Sequence, residues 1–274
     1  MRWQRQVGVL LTVILCSGCG GESTDDAKVD DKPSLQGGVR PDSRPAVTLE
    51  SLGGQGTIQG VVRFEGTVPK SRIVSVAGKY CIEKRGSSFV DPDMLVDGKG
   101  RVQNVFVYLQ GGVPEYRFAV AETPVQIDQT DCQFEPRVVG VQVGQPLHFT
   151  NQDATLHNVH SVVDKKIGNK AFNFGMSGRQ DVVIEKKFDT SEIMTRIKCD
   201  VHPWMVSWVG VLPHPWFSVT DESGAFRIPQ VPDGEYIVAA WHERLGSTSA
   251  RVRVEGGVSS PLEILFPEPR ESRN

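Results

Sequence analysis

A chain of 274 residues has room for two ordinary domains, and 39% apolar with 8% aromatic residues suits globular packing. A formal net charge of −3 implies no polyanion partner, so nucleic acid is not an expected one. With 28 glycines and 17 prolines, punctuation is too dense for long helices and favours many short strands, an all-β chain.

The N-terminus reads as a targeting segment. Met1-Arg2-Trp3-Gln4-Arg5 is a basic opening, and Val7 to Leu15 is an apolar run too short to span a bilayer. Leu15-Cys16-Ser17-Gly18-Cys19-Gly20 resembles a bacterial lipoprotein box, which implies removal of residues 1–18 and a lipid on the Cys19 thiol. Cys16 stands where such a box usually has Leu, and a plain secretory signal with two idle cysteines is the alternative. Either way the mature chain is expected outside the cytoplasm, on the periplasmic side of a bacterial envelope. Gly20 after the lipidated cysteine does not suggest inner-membrane retention, so the outer membrane is the expected anchor point. Residues 19–55 mix Asp, Glu, Lys, Gly, Ser and Pro, with too little apolar surface to offset ordering entropy, and read as a disordered tether.

Structured sequence is expected from Thr57. Ile58, Gly60, Val62 and Phe64 share one face of an alternating run, and Val105, Val107 and Leu109 share a face of another that closes at Gly111-Gly112. Lys79-Tyr80-Cys81-Ile82 between them has no clear period. Val125–Asp128, Val138–Val143, Pro146–Thr150, Val182–Phe188, Thr195–Cys199 and Val206–Leu212 read as strands. The stretch from Asn158 to Asp181 is rich in Gly and Asn and reads as a wrap around the outside. Phe217–Thr220, Ala225–Ile228, Tyr236–Trp241 and the alternating Ala250, Val252 and Val254 complete the strands, with turns at Asp221-Glu222-Ser223-Gly224 and Pro232-Asp233-Gly234.

Chemistry concentrates in Cys199-Asp200-Val201-His202-Pro203-Trp204-Met205, which sets a thiol, an imidazole and a thioether in seven residues. These are soft or borderline ligands suited to copper, and a trigonal copper site needs one Cys, two His and a weak axial Met. His157, at the end of a strand and loop, supplies the second imidazole.

The run from Val125 to Leu212 resembles the cupredoxins. Its Cys-x-x-His-x-x-Met loop with Pro after the His looks most like amicyanin and pseudoazurin, and His157-Asn158 matches the upstream ligand and the Asn that follows it. That resemblance implies a Greek-key sandwich holding one type 1 copper ion through His157, Cys199, His202 and Met205. Asn158 would join the two ligand loops by hydrogen bonds, and Pro203 and Trp204 would collar His202 where an electron would leave. Cysteine arithmetic then leaves Cys81 and Cys132, an expected disulfide in an oxidising compartment, with two buried thiols as the alternative. Zinc is the rival metal, with His157 and His160 completing a site begun by Cys199 and His202 and Met205 left without a role. His148, His160, His214 and His242 are otherwise expected to be structural.

The C-terminal pattern Thr220-Asp221…Gly224…Phe226…Pro232…Gly234…Tyr236 resembles the carboxypeptidase-regulatory-like β-sandwich, and Gly60-Val61-Val62 and Val105–Leu109 fit that family's early strands. The expected organisation is therefore a sandwich of residues 56–120 and 214–268 with a cupredoxin domain, 121–213, inserted in it, and a tail at 269–274. Three consecutive pieces without insertion is the alternative.

Four protein ligands leave no open position for substrate, so the expectation is a membrane-tethered blue copper electron carrier rather than an enzyme. Its partners would be a redox protein donor and acceptor. A copper-delivery lipoprotein without redox work, and an extracytoplasmic module binding glycan or protein with an accessory metal site, are the other readings.

Overall fold

A computed structural model describes residues 44–54 and 56–268. The signal peptide, Cys16, Cys19, most of the tether and the tail lie outside the described residues.

The first third of the described chain holds β1 (Gly56–Glu65), β2 (Ile73–Ser75), α1 (Lys79–Arg85), β3 (Ser88–Val90) and β4 (Phe106–Gly111). The middle holds β5 (Val125–Thr130), β6 (Gln133–Glu135), β7 (Val138–Gln142), β8 (Leu147–Asn151) and β9 (Leu156–Val162). It continues with β10 (Asn173–Ser177), β11 (Gln180–Lys186), β12 (Glu192–Lys198) and β13 (Val206–Leu212). The last third holds β14 (Phe217–Val219), β15 (Ala225–Val231), β16 (Gly234–His242), β17 (Gly246–Glu255), β18 (Val258–Ser259) and β19 (Leu262–Pro267). Among the described residues the fold is all-β apart from α1 and a single 3-10 turn at Glu50–Leu52.

Strands from both ends of the described chain share one eight-stranded sheet, ordered β14-β4-β16-β17-β18-β1-β15, with β19 also on β1. Within it β1 runs antiparallel to β15 and parallel to β19, and β4 is antiparallel to β16. The strands between β4 and β14 form two further sheets, β10-β9-β12-β13-β7 and β11-β8-β5-β6.

Alternation explains both cores. Ile58, Val62, Val107, Leu109, Ile228 and Val238 all face one cluster of the large sheet, capped by the fully buried Trp216. Ile127, Phe149, Val159, Ile197 and Val209 fill the other, between the five- and four-stranded sheets, and share it with Cys199 and Met205. Each such side chain contributes roughly 1.5–3 kcal/mol on leaving water.

Strand β4 is buried on both faces because one side lines the first core and the other a separate apolar cluster against the middle segment. Val107 and Leu109 point into the first, while Phe106 and Tyr108 meet Val138, Met194 and Leu212 of the middle segment. The cross-strand pair Gly140 and Gly210 makes this contact possible. A Cβ on Gly210 would lie 2.4 Å from the Phe106 ring and one on Gly140 2.4 Å from the Phe217 ring, so any side chain there forces the two sandwiches apart.

Three stretches differ from the sequence expectation. Residues 44–54, read as the end of the tether, pack on the fold: Val47 bridges Phe118, and Leu49 and Leu52 lie against the first core. Val47, Leu49 and Leu52 are too thinly spread for composition to register. Lys79–Arg85 is a short helix, α1, with only Cys81 buried. The segment read as an outer wrap carries two strands, β9 and β10, paired with each other. Phe172, Phe174 and Met176 alternate toward the second core there, a period that Gly175 and the asparagines mask.

Candidate metal centre

Two connections bring the candidate ligands together. The first turns from β8 into β9. Asn151 shapes it, its side-chain oxygen accepting from the Asp153 N–H at 3.0 Å and its amide donating to the Thr155 carbonyl at 3.1 Å. His157 therefore enters at the start of β9, opposite Met176, rather than in a loop. The second is the loop from Cys199 to Met205, joining the paired strands β12 and β13. The Cys199 N–H donates to the Met205 carbonyl at 3.2 Å and the Met205 N–H to the His202 carbonyl at 2.9 Å, which folds the loop onto itself.

The site is dry. Cys199 is 1% exposed, His202 6%, and His157 and Met205 not at all. The two Nδ1 atoms of His157 and His202 lie 2.9 Å apart, and Cys199 Sγ is 3.9 Å from His202 Nδ1. Both separations fall within the span of two bonds of about 2.0–2.3 Å to a shared ion. Met205 lies in the same core cluster as Cys199.

Neighbouring groups fix the chemical state of these donors. His157 Nε2 meets Asp153 Oδ2 at 2.8 Å, so Nε2 carries a proton and Nδ1 is the atom turned to the cluster. Asp153 is held by the N–H groups of Asp131 and Cys132, at 2.8 and 2.7 Å. Burial works against the carboxylate, but His157 and these two N–H groups outweigh it and keep its pKa below the usual value. Burial also opposes a charged His157, and Asp153 and the Cys199 thiolate override it and raise its pKa. Burial pushes the Cys199 thiol up, while His157, His202 and the N–H groups of Asn158 and His202 pull it down further, to about 6. Those N–H groups approach Sγ at 3.4 Å each. These contacts favour the thiolate, the form that binds metal.

Asn158 joins the two ligand segments: its Oδ1 accepts from the Asp200 N–H at 2.6 Å and its Nδ2 donates to Asp200 Oδ2 at 3.1 Å. Asp200 has a role that sequence reasoning missed. Its carboxylate also takes the Asn173 amide at 3.1 Å, His160 Nδ1 at 2.9 Å and Lys198 Nζ at 2.8 Å, and these partners, Lys198 first, hold its pKa well below the usual range. It thereby clamps the ligand loop to β9 and β10. Asp153 was missed as well, since a carboxylate four residues before a histidine is too common to stand out.

The structure does not leave His202 open at its outer edge. Its Nε2 lies 3.5 Å from Cys81 Sγ, and Cys81 is bonded to Cys132, so α1 and the disulfide cover the side where an electron was expected to leave. Trp204 does pack on His202, with ring centroids 5.2 Å apart, and donates its Nε1 to the Cys132 carbonyl at 3.0 Å. The disulfide spans 51 residues. The double substitution Cys81→Ser with Cys132→Ser should therefore lower unfolding free energy by about 4 kcal/mol on the chain-entropy account, read from denaturant titration. A loss under about 1 kcal/mol would show that α1 stays docked without it.

His160, needed for the four-ligand zinc set, turns to Asp200 and is not part of the cluster. His148 pairs with Glu185 at 3.2 Å, and His214 and His242 are buried in the other core region. A second group of possible ligands among the described residues, Cys132, Asp153 and His157, has its sulfur committed to the disulfide.

No family model and no curated protein sequence matches the chain. Among solved structures it is similar to a copper-containing nitrite reductase from Thermus scotoductus SA-01, at 19% identity and TM-score 0.30, over 39% of this chain and 25% of that one. It is also similar to an amicyanin variant in its reduced Cu(I) form, at 24% identity and TM-score 0.29, over 38% of this chain and 97% of that one. A purple cupredoxin from Nitrosopumilus maritimus is similar at 24% identity and TM-score 0.26, over 31% of this chain and 97% of that one. The chain thus spans a quarter of the nitrite reductase but nearly the whole of the two smaller proteins.

Proposed function

We propose that the chain holds one copper ion between His157, Cys199 and His202, with Met205 as a weak fourth ligand, and carries single electrons rather than turning over a substrate. The observation that carries this reading is the convergence of one low-pKa thiol and two imidazole Nδ1 atoms in a site closed to water. Thiolate and imidazole suit copper, and a buried site reserves no position for a substrate. When bound, copper would supply a one-electron couple between its cuprous and cupric states.

The protein's own residues prepare the site. Asp153 orients His157, Asn158 and Asp200 hold the ligand loop, and the disulfide and Trp204 shield His202. Rigid ligands in a dry pocket rearrange little when charge changes, which favours fast electron exchange. The sharing of one sheet by β1, β4 and β16 supports the inserted arrangement, with residues 56–120 and 214–268 as a regulatory-like sandwich. A lipid on Cys19 would place this head at the envelope membrane, where it would meet a redox protein donor and acceptor.

The test is a visible spectrum of residues 44–274 after one equivalent of cupric ion. An intense thiolate-to-copper band, abolished in Cys199→Ala and in His157→Ala, is expected, together with reversible one-electron reduction. A colourless protein that still binds metal would instead favour zinc or copper delivery, and a protein that binds none would overturn the metal reading.

A further inference from the structure

A cleft of about 770 Å³ opens beside the ligand loop, between segments distant in sequence. That volume lies in the range of sites for small organic ligands, roughly 300–1,000 Å³. Its floor is the outer face of β12 and β13. Arg196 and Trp208 are direct cross-strand partners there, alternating with the core residues Ile197 and Val209. Their Cβ atoms are consequently about 4.5–5.5 Å apart, close enough to serve one ligand group.

Charge around the cleft is balanced except at one residue. Arg137 makes a two-pronged bond to Glu243 and a second contact, at 3.1 Å, to Asp91. Arg72 pairs with Asp91 and Asp93 at 2.8 and 2.6 Å, and Arg244 reaches Asp93 at 3.4 Å. Three arginines thus meet three carboxylates. Arg196 meets none: its side chain has no hydrogen-bond or ion-pair partner among the described residues, and its Nε is buried. Trp208 Nε1 is likewise a buried donor without a partner among the described residues. Two adjacent orphan donors, one of them charged, in a cleft lined by Trp204, Pro203 and Ile73 are unusual, because buried donors are almost always satisfied.

We propose that this cleft binds a small organic carboxylate, with Arg196 and Trp208 Nε1 donating to its oxygens and its apolar body lying along Trp204, Pro203 and Ile73. A guanidinium fork matches a carboxylate better than it matches any neutral acceptor. The tryptophans and proline select for an apolar, planar body over a bare inorganic anion. Since Trp204 also packs on His202, the bound ligand would touch the shell of the metal centre, although the proposal does not depend on which metal, if any, sits there.

The experiment is calorimetric titration of the metal-free full chain with benzoate, its neutral analogue benzamide, and sulfate. Benzoate should bind with a dissociation constant of about 1 mM or tighter, and benzamide and sulfate at least about tenfold more weakly. Arg196→Gln should weaken benzoate about tenfold or more, and Trp208→Phe, which keeps the ring and deletes only the orphan donor, by about threefold to tenfold. The thermal midpoint measured alongside shows that each variant is folded. Absent benzoate binding, equal binding of benzamide, or folded variants that bind benzoate as the parent does would each overturn the proposal.

Discussion

Acidification from pH 6.5 toward pH 4 should remove about 3 kcal/mol of stability at each of two buried histidines, a large part of the whole for a domain of this size. His214 and His242 both have pKa values lowered from 6.5 to about 4, in each case first by burial. For His242 the nearby Arg137 and Arg244 add to the effect. Hydrogen bonding shows why His214 stays neutral. Its Nε2 donates to the Leu109 carbonyl at 3.0 Å, while Nδ1 accepts from the Trp216 N–H at 3.3 Å, so a proton on Nδ1 would face another donor. His242 Nδ1 similarly accepts from the Arg244 N–H at 3.2 Å.

The sign follows from where the protons go. The unfolded chain takes up a proton on each ring below pH 6.5 and the folded chain does not until about pH 4, so stability is full above 6.5 and is lost between 6.5 and 4. Two such groups give a slope of up to about 2.7 kcal/mol per pH unit inside that window. Urea titrations at pH 6.5, 6.0, 5.5 and 5.0 would read it above most carboxylate titration. The double variant His214→Gln with His242→Asn keeps one hydrogen bond at each position and cannot take up a proton. It should start less stable and run nearly flat, and an unchanged slope would locate the acid sensitivity elsewhere.

The ligand set was legible in the chain because it is compact: Cys199, His202 and Met205 sit in one short loop, and His157 is flagged by its place after a strand. Alternation likewise exposed most strands, since each has one face in a core. The features that escaped are assembled across the fold. Asp200 acquires its meaning from Asn173 and His160, which a linear reading places in an irregular wrap. The cleft draws Arg72, Asp91, Arg137, Arg196 and Glu243 from five separate segments, and each alone looks like an ordinary surface charge. The cover over His202 was hidden for another reason. Helix α1 is too short to show a helical period, and the proximity of Cys81 to His202 is set by its bond to Cys132, not by anything local.

Proton competition at the metal centre carries the second large effect. Metal binding needs the Cys199 thiolate and a bare His157 Nδ1. With the thiol at about 6, its own proton should cost apparent copper affinity about tenfold per pH unit only below 6, while the raised pKa of His157 starts the decline earlier, above the ordinary imidazole value. A thiol at its ordinary value would give the same fall across pH 9 to 6 instead, so the position of the break measures how well the site is preformed. The raised pKa of His157 adds a second proton to the competition as the pH drops. Asp153→Asn separates the two contributions. It removes the charge that favours a protonated His157, so the acid branch should become shallower. Losing the partner of Nε2 should also weaken copper at pH 7 by about tenfold to a hundredfold. Competition titrations with a chelator of known affinity, run for both proteins across this range, give both quantities. An Asp153→Asn curve parallel to the parent's at every pH would mean that Asp153 orients the ring without governing its proton.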